Sequence, residues 1–232
     1  MFYQKRKFKN NKGLTLSAIY EGEEKDAPVV ILCHGFGSSK DNPSTKLLAQ
    51  KLVKQGISVY RFDFTGCGQS EGKIENDLTP QQGLDDLTAA TRDLNKNKFA
   101  LYGSSYGGYI SLLYSTKKPV LALGLKAPVS DYPAVLHIKG NDKEEKAKEF
   151  REQAEKINIY KNAKNITAPV LIVHGSADDV VPLAQSEKLI QNLGGEKGLA
   201  VLHNATHYII SGPDLEDATN LLTDFFANKL LQ

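Results

Sequence analysis

KFALYGSSYGGYISLLY, residues 98–114, changes its periodicity halfway along. The apolar run Phe99–Tyr102 has the length of a buried strand and is too short for a helix. Beyond Gly108 the apolar positions fall at Ile110, Leu113 and Tyr114, the spacing of an amphipathic helix. Between the two lies Gly103–Ser104–Ser105–Tyr106–Gly107, a G-x-S-x-G turn centred on Ser105. A strand that reverses into a helix this sharply leaves no room for side chains two residues before and two after the serine. They would collide with the neighbouring strand and helix, which is why both positions are glycine.

On either side of this turn the chain alternates strand and helix. Residues 2–9 and 14–21 read as an antiparallel hairpin around Asn10–Gly13. Pro28–Cys33 is a continuous apolar run, as in a strand covered on both faces, and it ends in His34–Gly35–Phe36–Gly37–Ser38–Ser39. A helix starts at Pro43–Ser44, with Leu47, Leu48 and Leu52 on one face and Gly56 as its stop. The strand Ile57–Phe64 runs into Thr65–Gly66–Cys67–Gly68–Gln69–Ser70, and a helix covers about Thr79–Leu94. After the serine turn come strands Val120–Leu125 and Val170–Val173, a helix at Leu183–Leu193, a short strand near Leu199–Leu202 and a helix from Asp214 to Leu230. This order predicts an α/β protein with a mostly parallel, doubly wound sheet and right-handed crossovers. Ligands of such sheets bind at the carboxyl ends of the strands. Every loop named here follows a strand, so all of them share that edge.

Composition bounds the function. At 232 residues and 25.5 kDa the chain can bury a full α/β core. A net charge of +2 is too small to suggest a nucleic-acid partner. The amino-terminal MFYQKRKFKN is basic, but no apolar segment of signal-peptide type follows it. No run approaches the length of a membrane span. The two cysteines, Cys33 and Cys67, lack metal-like spacing and read as reduced thiols, so a cytoplasmic protein is expected. No zinc-like cluster is present, and neither a metal nor a cofactor is expected. Monomer and homodimer are both open.

A serine hydroxyl is a poor nucleophile unless a histidine takes its proton and a carboxylate orients that histidine. Downstream of Ser105 the strand Val170–Val173 opens into His174–Gly175–Ser176–Ala177–Asp178–Asp179–Val180–Val181–Pro182. The last strand then ends in Leu202–His203–Asn204–Ala205–Thr206–His207. Carboxylate and imidazole thus follow the serine in order, each just past a strand end. Ser104, Asp179, Asp131 and His203 are competitors for the three places. His34 and His174, each before a glycine, read as side chains that hold their loops by hydrogen bonds to backbone.

Five signatures together resemble the α/β-hydrolase superfamily, within it the small-capped serine esterases and lipases such as cinnamoyl/feruloyl esterases and monoacylglycerol lipases. They are H-G-F-G at His34–Gly37, D-F-x-G-x-G-x-S at Asp63–Ser70, the serine elbow, H-G-x-x-D-x-x-V-P at His174–Pro182, and the terminal histidine loop. The resemblance implies Ser105 as nucleophile, Asp178 as acid and His207 as base. It also implies an oxyanion hole from the backbone N–H groups of Phe36 and Tyr106. Asp63 and the glycines after it are then a structural turn beside the elbow.

Residues 129–168 break the alternation. They are expected to form a cap inserted into a single hydrolase domain spanning 1–232. Within them Asn141–Ile157 is densely charged, with a narrow stripe of Ala147, Phe150, Ala154 and Ile157. Phe36, Tyr106 and Phe150 are the expected substrate contacts. An insert of about forty residues is short for a long-chain lipid tunnel. The expected substrate is therefore a small-molecule ester of a short-chain or aromatic acid. The same machinery could serve a serine peptidase, amidase or thioesterase, and a non-catalytic binding protein is the remaining class.

Overall fold

The computed structural model describes residues 1–23, 26–138 and 146–231, with side chains described for all of these except 136–138, 146 and 147. Eight strands form one sheet: β1 (Phe2–Lys9), β2 (Thr15–Gly22), β3 (Val29–Cys33), β4 (Ser58–Phe62), β5 (Ala100–Ser104), β6 (Leu123–Lys126), β7 (Val170–Gly175) and β8 (Lys197–Leu202). Their spatial order is β1-β2-β4-β3-β5-β6-β7-β8. β1 and β2 form the expected antiparallel hairpin, and β2 lies antiparallel to β4. Every pairing from β4 to β8 is parallel.

Residue alternation along the central strands sends apolar side chains to both faces. Val30 and Leu32 of β3 join Leu48 and Leu52 of α1 (Pro43–Lys54) and Leu222 and Phe226 of α9 (Gly212–Leu230). Ile31 and Cys33 face the other layer, with Leu87 of α3 (Pro80–Leu94), Ile110 of α4 (Tyr106–Ser115) and Leu189 of α8 (Leu183–Asn192). Two helix starts carry side-chain caps: Asn42 accepts from the Thr45 N–H at 2.9 Å and Thr79 from that of Gln82 at 3.2 Å.

The strand expected at Val120–Leu125 is Leu123–Lys126 instead. Leu121 is 39% exposed, and the chain enters register with β7 only where Leu123 meets Val170. The run of hydrophobic residues there starts before the ladder does. A short helix α2 (Ile74–Asp77) lies ahead of α3, where the sequence carries no strong periodicity. Between β6 and β7 lie α5 (Tyr132–Ile138), α6 (Lys146–Glu155) and α7 (Ile159–Asn162). The charged helix expected over 141–157 is seen over α6; its earlier part, 141–145, and the Ala147 side chain lie outside the described residues. The rest of its stripe packs inward, with Phe150 and Ala154 buried and Ile157 against the core. Among the described residues no helix is long and apolar enough to cross a membrane.

Candidate active site

β5 ends in a turn whose geometry is forced by its two flanking glycines. A Cβ on Gly103 would strike the backbone of Gly107 and Gly108, and one on Gly107 would strike the carbonyls of Cys33 and His34 at the end of β3. Ser105 sits between them at φ +52°, ψ −113°, a conformation that a residue with a side chain adopts only under strain. Its N–H donates to the Lys126 carbonyl at 3.0 Å, and its carbonyl accepts from Val129 at 3.2 Å, so β6 and the chain after it lock the turn.

His207 and Asp178 meet the serine from the two neighbouring loops. Nε2 of His207 lies 3.1 Å from Ser105 Oγ, and Nδ1 lies 2.7 Å from Asp178 Oδ2. Burial of the Asp178 side chain would raise its carboxyl, but donors from His174, His207 and Val181 outweigh that and hold it well below the usual carboxylate range. Oδ1 accepts the N–H groups of Val180 and Val181 at 2.9 and 2.8 Å. Oδ2 lies 3.2 Å from Nε2 of the fully buried His174, whose Nδ1 is 2.7 Å from Ser186 Oγ. Asp178 is therefore a fixed anion, and the imidazole nitrogen facing the serine is left able to accept a proton.

The competitors lie elsewhere. Asp179 and His203 are exposed. Asp131 accepts from the Ala134 N–H at 3.3 Å, at the start of α5. Ser104 ends β5 in register with Lys126.

The loop after β3 closes the other side of the serine. A Cβ on Gly35 would sit 3.5 Å from Ser105 Cβ, so the backbone of this loop abuts Ser105. Phe36 follows, with its ring 51% exposed. The Tyr106 N–H opens α4, where the first N–H groups of a helix have no carbonyl of their own to meet. The Tyr106 side chain differs from the sequence expectation of a substrate contact. It is fully buried, and its hydroxyl donates to the Thr79 carbonyl at 3.0 Å, so it packs beneath the site. Phe150 of α6 is buried beside Phe36: its ring lies 6.1 Å from that of Phe36 and 4.8 Å from that of Tyr132, both edge-on.

Both loop histidines bond to backbone, as expected. His34 Nδ1 donates to the Gly35 carbonyl at 2.7 Å, and its Nε2 accepts the Phe64 N–H at 3.1 Å. Burial drives its imidazole toward the neutral form that this pattern requires. Asp63 accepts from Lys40 Nζ and Lys40 N, both at 2.6 Å, and from the Gln69 N–H at 2.9 Å. Among the described residues no His, Cys, Asp and Glu gather as a metal site would. Two residues of this edge escape a reading by motif. Tyr132 shows only as one aromatic in an irregular segment. Lys126 shows as a lysine closing an apolar strand, and its amine is buried beside the histidine loop.

The sequence profile of the prolyl oligopeptidase family matches residues 43–232, which include Ser105, Asp178 and His207. An uncharacterized protein of Mycobacterium tuberculosis is 27% identical over 199 residues, covering 84% of this chain and 67% of its own. A proline iminopeptidase of Thermoplasma volcanium is 32% identical over 108 residues, covering 46% of this chain and 36% of its own. Among solved structures, Est1E from Butyrivibrio proteoclasticus with bound ferulic acid superposes with a TM-score of 0.85 at 22% identity, over 98% of this chain and 100% of that one.

Proposed function

From the premise that the chain belongs to the prolyl oligopeptidase family of α/β-hydrolases, we propose that it hydrolyses carboxylic esters of short-chain or aromatic acids through an acyl-enzyme on Ser105. The observation that carries this reading is the continuous relay from Ser105 Oγ through His207 to Asp178, at 3.1 and 2.7 Å. Ser105 Oγ attacks the ester carbonyl while its proton passes to His207 Nε2, and Asp178 balances the imidazolium that forms. The oxyanion meets the N–H groups of Phe36 and Tyr106. His207 gives its proton to the departing alcohol. A water then attacks the acyl carbon, His207 takes that water's proton, and the acid leaves Ser105.

The segment 129–168 is the cap of a single hydrolase domain in this reading. Phe150 and Phe36 form the apolar wall on which the acyl group lies. Phe150, 8% exposed and packed against Tyr132, gives that wall a fixed aromatic face suited to a small or flat acyl group. The family match favours a second reading, a serine peptidase acting on amides. The insert 129–168 is short, and the aromatic pair Phe36 and Phe150 suits an acyl group, so the ester ranks first in this reading.

A fluorophosphonate probe tests the mechanism. Labelling of the native chain and none of Ser105→Ala is expected; equal labelling of both overturns it. The substrate class is read from p-nitrophenyl acetate and butyrate and a feruloyl ester against aminoacyl-p-nitroanilides. Higher kcat/KM on the anilides would establish the peptidase reading instead.

A further inference from the structure

Lys126 ends β6 with its side chain in the layer that holds α1, and it is 5% exposed. Its Nζ lies 3.3 Å from Ser44 Oγ and 3.2 Å from the carbonyl of Ile209. A buried ammonium is expensive unless a carboxylate bonds to it, and this one bonds to a hydroxyl and a carbonyl. Ser44 also lies in the first turn of α1, where the helix dipole is positive and opposes a cation. Fold stability alone gives no reason for a charge at this point, since a methionine would fill the same volume without that penalty.

The surroundings supply one. Ile209 is two residues beyond His207, and its own N–H donates to the His207 carbonyl at 3.1 Å. Lys126 thus grips one end of a short tether whose other end is the proposed base. Along this stretch burial alternates: His207 and Ile209 face inward, Tyr208 and Ile210 outward. A slip of one residue would turn the imidazole away from Ser105. The ionisable groups around the amine are the ionised Asp178, which attracts the cation, His207 on the loop it holds, and Tyr102, whose hydroxyl lies against Ser44.

We propose that Lys126 is a positioning residue for the base: its amine fixes the His207 loop through the Ile209 carbonyl. This rests on the assignment of Ser105, His207 and Asp178 made above. Burial lowers the amine to about 8, against the pull of Asp178, so the charge is present at neutral pH and is lost above that value.

The experiment measures kcat and KM on p-nitrophenyl butyrate at pH 7 for native chain, Lys126→Met and Lys126→Arg. For Lys126→Met we expect kcat to fall about tenfold with KM within about twofold, because methionine fills the volume but cannot hold the Ile209 carbonyl. A side chain that only packs is replaced by methionine without that loss, so an unchanged kcat overturns the inference. Lys126→Arg keeps a charged donor and should retain kcat within about threefold. This arm stands even if Lys126→Met does not fold: a Lys126→Arg chain that folds and loses kcat tenfold also overturns the inference. Native chain that fluorophosphonate does not label would instead reject the assignment of the triad, which separates the two failures.

Discussion

Two buried carboxylates stand at the carboxyl edge of this sheet, each near a buried histidine, and they do different work. Asp63, at the end of β4, accepts from a lysine ammonium and two backbone N–H groups. His34, 4.0 Å away, spends both ring nitrogens on backbone. Nothing in that set can give up or gain a proton without breaking the loop it holds. Asp178, after β7, also collects several donors, but one of them is His207, whose far nitrogen points at Ser105. Saturated donors make a clamp. The same carboxylate with one partner that can be recharged makes a relay. Burial does not distinguish them; a direct bond to an imidazole with a free valence does.

That contrast fixes the two largest expected effects. Asp178→Asn should lower kcat by ~10³–10⁴-fold, because the amide leaves His207 in the wrong tautomer. The exposed Asp179→Asn should stay within about threefold. Steady-state kinetics on p-nitrophenyl butyrate decide this, and the reverse ranking would move the acid by one residue. Asp63→Asn should act on stability instead. It takes the nearer carboxylate from Lys40, 1% exposed, and leaves it that of Asp41 at 3.5 Å, which destabilises by about 3 kcal/mol. Urea unfolding measures the loss, while kcat of the protein that remains folded should fall only a few-fold. A large loss of kcat with unchanged stability would erase the distinction between clamp and relay.

Most of this edge was readable from spacing. Gly103 is demanded by the backbone of the turn itself and Gly107 by the end of β3 packed against it, and the loops after β3, β7 and β8 follow from alternation and chirality. The family match and the structural neighbours agree with the fold so read. Tyr106 escaped because its amide and its ring have separate fates: the first residue of α4 exposes its N–H, while helix geometry turns its ring down toward Thr79. Lys126 escaped because its partner Ile209 is 83 residues away, a contact that no periodicity encodes. The strand shift to Leu123 has the same origin, since the ladder begins where β7 is, not where the hydrophobic run starts.

Phe150 spans the boundary between the two regions, touching Phe36 on the clamp side and Tyr132 under α6. Phe150→Ala should open space beside the acyl position and raise the hexanoate-to-acetate ratio of kcat/KM by roughly tenfold. An unchanged ratio would place the acyl group on another wall.

The smallest expected effect concerns the strain at the relay and its absence at the clamp. The residues around Asp63 that carry side chains adopt negative φ, whereas Ser105 is held at +52°. Ser105→Ala and Ser105→Gly both remove the hydroxyl, so any difference in their stability reflects backbone alone. Strain of this kind is on the order of 1–3 kcal/mol, and glycine's greater freedom when unfolded offsets about 0.5–1 of it. Ser105→Gly should therefore be about 1 kcal/mol more stable than Ser105→Ala, a Tm higher by roughly 2–4 °C for a chain of this length. Equal melting temperatures would mean that the turn holds no strain beyond what its two flanking glycines already relieve, and the serine would then be presented by sterics alone.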